Sequence, residues 1–97
     1  MRTLLIVAAL FAAAPVAAQA PAPTRAVLAD AAKAPAGRTI IDGAAWRCEG
    51  STCTASGGAS QPAARACRRV VARLGAVTEF AWKGEELSAE QLAACNA

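Results

Sequence analysis

Four cysteines, Cys48, Cys53, Cys67 and Cys95, are the residues of this chain whose type and spacing speak most directly of chemistry. An even set of thiols can close into disulfides, hold a metal ion or work as a redox pair, and spacing separates these uses. A redox dithiol usually places two residues between its cysteines at a helix N-terminus, where the helix dipole lowers a thiol pKa. Cys48 and Cys53 are instead separated by Arg-less Glu49-Gly50-Ser51-Thr52, a turn-like stretch. A four-cysteine zinc site is built from two close pairs. Cys67 and Cys95 lie far apart in the chain, and there is no histidine to assist them. No metal and no cofactor is therefore expected, and the cysteines read as a disulfide framework.

Four cysteines allow three pairings, which sequence alone leaves open. Geometry favours one of them. Residues facing each other across a short turn bring their Cα atoms near the range a disulfide needs, which pairs Cys48 with Cys53 and leaves Cys67 to Cys95. On the chain-entropy model the first bridge closes about 6 residues and contributes about 2 kcal/mol, while the second closes about 29 and contributes about 3.5 kcal/mol. Such a contribution matters in a chain of 97 residues, which is near the size where one apolar core is only marginally stabilising.

Stable disulfides need an oxidising compartment, and the N-terminus supplies an address for one. Met1-Arg2 is a short positive start, Leu4 to Ala14 has the length of a signal-peptide apolar region rather than a membrane span, and Pro15 interrupts it. Residues 1–18 are read as a cleavable secretory signal peptide, with Ala18 favoured over Ala20 as the last residue removed. Once it is cleaved, no transmembrane segment is expected. The four cysteines all fall after this leader, consistent with a periplasmic or secreted product.

Residues 19–38 hold three prolines, many alanines and only Val27 and Leu28 as larger apolar residues, so they read as a linker in which residues 25–30 could add a short edge strand. The folded unit is expected over residues 39–97. Ile40 and Ile41 favour strand; Ala44 to Cys48 and Cys53 to Ala55 form a hairpin about a turn at residues 49–52. Ser60 to Leu74 predicts a helix, with Pro62 in the first turn and Gly75 at its end, burying Ala63, Cys67, Val70, Val71 and Leu74. Ala76 to Trp82 alternates as a strand, with Thr78, Phe80 and Trp82 on one side and Val77, Glu79 and Ala81 on the other. Ser88-Ala89-Glu90-Gln91 matches a capping box that starts a last helix carrying Leu92 and Cys95. The expected fold is α+β, a small disulfide-stapled domain of order ββαβα. Its core candidates are Ile40, Ile41, Trp46, Val70, Val71, Leu74, Val77, Phe80, Trp82, Leu87 and Leu92.

No catalytic residue stands out. Without histidine the usual general base and the His-dependent triads are missing, and among the carboxylates only Glu85 and Glu86 are adjacent, in a solvated turn. Trp46 and Trp82 read as core rather than as sugar-stacking platforms. A net charge of +3 is too weak to point to nucleic acid. The outer face of the first helix is the feature with binding chemistry. Arg65, Arg69 and Arg73 recur at spacings of four with Arg68 beside them, a stripe able to grip phosphate or carboxylate. The plain alternative for these arginines is a solvated helix face.

The pattern Trp46-x-Cys48-x-Gly50-x-x-Cys53-x-Ala55, then Gln61-Pro62-Ala63 with Cys67, Leu74-Gly75, Phe80, and Leu87, Leu92, Cys95-Asn96, resembles a family of short uncharacterised secreted proteins of alphaproteobacteria. The resemblance spans residues 39–97 together with the general form of the leader, and implies a periplasmic or secreted setting in a Gram-negative bacterium, with no activity attached. The expectation is a non-enzymatic structural or binding module, docking an acidic envelope component through Arg65, Arg68, Arg69 and Arg73. The alternative is a small enzyme or redox accessory using a cysteine. An inhibitor of an exported hydrolase, presenting the loop at residues 56–60, is a third class that no residue marks out.

Overall fold

The computed structural model describes residues 23–97, so the expected signal peptide and the first residues of the expected linker lie outside the described residues. Six strands form one antiparallel sheet: β1 (Arg25–Leu28), β2 (Thr39–Ile41), β3 (Ala44–Glu49), β4 (Thr52–Gly57), β5 (Val77–Trp82) and β6 (Glu85–Glu86), in the spatial order β2-β3-β4-β1-β5-β6. Helices α1 (Ala63–Leu74) and α2 (Ala89–Asn96) both pack on one face of it, and a single 3-10 turn (Ala31–Lys33) follows β1. The fold is α+β and disulfide-stapled, as the residues lead one to expect.

The main correction concerns residues 25–28. They are neither linker nor edge: β1 lies between β4 and β5, pairing Ala26 with Cys53 on one side and with Phe80 on the other. Pro23 and Thr24 continue the attachment, since the Pro23 carbonyl accepts from Gly84 N–H at 2.8 Å and the buried Thr24 accepts from Lys83 N–H through its hydroxyl at 3.0 Å. The folded unit therefore begins well before Thr39. A central strand is held by two backbone ladders, and it needs only small or apolar side chains on the covered face. Ala26 and Leu28 are that pair, and both are buried.

The β3–β4 hairpin is tighter than expected. Glu49 pairs with Thr52, so the loop is Gly50-Ser51 alone, and Gly50 takes φ 64°, a conformation that glycine adopts without a Cβ penalty. In β5 the expected alternation breaks. Val27 pairs with Glu79 and Leu28 with Val77, which leaves Thr78 as an extra residue in a bulge. The extra residue moves Val77 to the same side as Phe80 and Trp82, and all three are buried. Ile40 is the other departure. It alternates with the buried Ile41 and is 52% exposed, because no helix covers the face it points to.

α1 begins at Ala63, later than Ser60, with Pro62 as its N-cap in extended conformation and its carbonyl accepting from the amides of Arg65 and Ala66. Proline can precede the helix at no cost because it has no amide to leave unpaired. Gly75 ends the helix at φ 88° and ψ −176°, a region open essentially to glycine, while its N–H donates to Val71 O. The apolar stripe of α1 is Ala63, Ala66, Cys67, Val70 and Leu74, with Val71 only partly covered. α2 starts on the expected capping box: Ser88 Oγ accepts from Gln91 N–H at 3.2 Å and Gln91 Oε1 accepts from Ser88 N–H at 2.9 Å.

Trp46, Phe80 and Trp82 form the centre of the core. Phe80 lies 6.2 Å from Trp46 and 6.4 Å from Trp82, centroid to centroid, and is wholly buried. Both disulfides join the expected pairs, Cys48–Cys53 across adjacent strands and Cys67–Cys95 between the two helices.

Asn96, at the end of α2, makes a contact that sequence reasoning did not identify. Its Oδ1 accepts from Val77 N–H at 2.9 Å and its Nδ2 donates to Val77 O at 2.8 Å, so one amide side chain satisfies both backbone groups at the start of β5. Asn96→Ala leaves these part-buried groups without that partner. It is expected to cost about 1–3 kcal/mol, read as a lower urea midpoint with an unchanged slope. A change within error would show that water replaces the amide at no loss.

Candidate functional site

The side chains of α1 divide cleanly between its two faces. The stripe just described faces the sheet, and Arg65, Arg68, Arg69 and Arg73 are all exposed. The spacing dictates this result: with 3.6 residues per turn, the apolar set and the arginine set recur at three and four but point in different directions. Cys67 and its bridge to Cys95 anchor the helix at mid-length, so the arginines stand on a fixed support.

One arginine of the four is tethered. Arg69 Nε lies 3.5 Å from Asp42 Oδ2, and the same oxygen accepts from Gln61 Nε2 at 3.1 Å. Asp42 sits in the β2–β3 turn at φ 50° and is itself held by Ala59 N–H donating to its carbonyl at 3.1 Å. This cluster ties the turn to the start of α1. Among the described residues no carboxylate lies within ion-pair distance of Arg65, Arg68 or Arg73. A phosphate or carboxylate from outside could engage these three through charge-assisted hydrogen bonds.

A second group of charges has already found its partners. On the face of the sheet away from the helices, Arg25 donates from Nη1 to Glu79 Oε1 at 2.7 Å and from Nη2 to Glu86 Oε2 at 3.2 Å. The hydrogen bond to Glu79, and then the charges of Glu86 and Glu79, raise the Arg25 pKa above its ordinary value against the opposing effect of burial. Arg25, although central and largely covered, serves to join β1 to β5 and β6.

The cysteines are committed as well. All four are in disulfides, and Cys53, Cys67 and Cys95 are buried. Trp46 and Trp82 are buried too, at 0% and 3% exposure, so neither offers a stacking platform. Glu85 and Glu86 are exposed in β6, with Glu86 drawn to Arg25. Among the described residues no group of three or more metal-ligating side chains comes together, and no helix is long and apolar enough to cross a membrane.

Fold and site together define a two-layer, disulfide-stapled α+β domain with an exposed basic helix. The chain belongs to the family of unknown function DUF8200, which it matches over residues 5–97. No curated protein and no solved structure matches it.

Proposed function

We propose that this protein is an exported, non-enzymatic binding module, periplasmic or secreted, that docks onto a phosphate-bearing surface of the cell envelope through α1. The observation that carries the reading is the exposed stripe of Arg65, Arg68 and Arg73, mounted on a helix that is bridged to its neighbour and free of partner carboxylates among the described residues. Guanidinium groups fit phosphate in bidentate fashion and stay charged at any pH the protein meets, so a rigid row of them favours an acidic surface over a neutral one. The leader-like N-terminus and the two disulfides support an oxidising location. The cysteine-based alternative draws no support from an exposed thiol.

The test is retention of the protein on vesicles with and without anionic lipid. The unaltered protein is expected to sediment with anionic vesicles, to stay in solution with neutral ones, and to release as salt is raised. Reversing Arg65 and Arg73 together to glutamate should weaken retention by at least about tenfold, since each basic residue near an anionic surface is worth roughly 1 kcal/mol. Equal retention of the reversed variant would overturn the reading.

A further inference from the structure

The face of the sheet that carries no helix holds a second basic feature, on the far side of the domain from α1. Its strand pairings place Arg47 opposite Thr54 and Ala45 opposite Ser56. Thr39 pairs with Trp46 and Ile40 with Ala45, and Arg38, just ahead of β2, lines the same surface hollow as Arg47. Trp46 points into the core, and its neighbour Arg47 must point outward. A surface hollow of about 370 Å³ is lined by Arg38, Ala45, Arg47, Thr54, Ala55 and Ser56, and it contains no acidic residue.

Like charges held close together on a sheet face are unfavourable. Elsewhere on this face Arg25 has Glu79 and Glu86 as partners, yet no carboxylate lies within ion-pair distance of Arg38 or Arg47 among the described residues. Glu49, one row away, lines two adjoining hollows, one with Arg47 and Thr52 and the other with Arg38 and Arg47, but makes no ion pair with either arginine and is not part of this one. Two guanidinium forks and two hydroxyls supply more donors than the two oxygens of a carboxylate can accept, whereas a tetrahedral oxyanion has oxygens for both arginines and a hydroxyl at once.

We infer that the hollow over Arg38, Arg47, Thr54 and Ser56 is a binding site for the phosphate group of a small soluble ligand. The site is separate from α1 and does not depend on what the helix docks to. It is also open, so the phosphate is gripped while the rest of the ligand projects into solvent.

The experiment is an amide-resolved NMR titration of the folded protein with inorganic phosphate at constant ionic strength, repeated with sulfate and with acetate. Saturable shifts at Arg38, Arg47, Thr54 and Ser56 are expected with phosphate and sulfate, and weaker ones with acetate. Arg47→Gln should weaken phosphate binding by about tenfold through loss of a charge-assisted bidentate contact, and Thr54→Val should weaken it less. Arg65→Gln with Arg73→Gln should leave these shifts unchanged. Shifts that never saturate, shifts confined to α1, or an Arg38→Gln/Arg47→Gln variant that titrates like the parent would each overturn the inference. The α1 reading is tested on vesicles with different variants, so either can fail alone.

Discussion

Phe80→Ala is expected to remove about 3–5 kcal/mol of folding free energy, the usual cost of deleting a fully buried ring and leaving a partly collapsed hole. Phe80 is wholly buried, with the indoles of Trp46 and Trp82 at 6.2 and 6.4 Å and Ala26 of the central strand paired to it. The whole stability of a domain this size is on the order of 5–10 kcal/mol, so the variant should lie close to its unfolding transition at ambient temperature. Urea denaturation followed by tryptophan fluorescence would read this directly, because both reporters flank the deleted ring. Phe80→Leu keeps an apolar group in the site and should cost much less. A loss below about 1 kcal/mol for Phe80→Ala would mean that the core is not centred on this ring.

Removing the Cys67–Cys95 bridge with the double replacement Cys67→Ala/Cys95→Ala should cost about 3.5 kcal/mol, against about 2 kcal/mol for Cys48→Ala/Cys53→Ala. The difference follows from sequence separation, 28 in one case and 5 in the other, because the longer loop has more freedom to lose in the unfolded chain. At about 4–8 °C per kcal/mol for a domain of this size, calorimetry should find the helix bridge worth roughly 14–28 °C in Tm. The reverse order would show that packing of the sulfurs, rather than chain entropy, governs their value. The helix bridge has a functional side as well. It fixes α1 against α2, so its loss should also loosen the support beneath Arg65, Arg68 and Arg73.

The parts of the fold that could be read from residue order are those whose causes lie within a few residues. The α2 start is an example: Ser88 and Gln91 satisfy each other's amides, and no distant contact is needed. The β3–β4 hairpin with its Cys48–Cys53 bridge is another, set by a glycine turn and two cysteines that must then face each other. The arginine stripe belongs to the same group, because 3.6-residue periodicity alone separates it from Ala63, Cys67, Val70 and Leu74. Arg47 carried a usable signal too, standing between the inward-facing Trp46 and Cys48, but its meaning depends on Arg38, nine positions earlier, reaching the same surface hollow.

What could not be read this way is non-local. Residues 25–28 look like the alanine-rich stretch around them, and nothing nearby says that two partners, β4 and β5, will close on either side. The bulge at Thr78 is decided by the register of β1 against β5, so the faces of Val77 and Thr78 follow from a strand fifty residues away. The clamp of Asn96 on Val77 requires α2 to end where β5 begins. Sequence by itself determined the two helices, the hairpin and a basic helix face, since each rests on short-range periodicity, turn chemistry or capping, and it favoured the cysteine pairing that the structure shows. Tertiary structure alone decided the central strand, the bare sheet face and the meeting of Arg38 with Arg47, because strand pairing is a contact between distant segments that backbone hydrogen bonds permit for many sequences and only global packing selects.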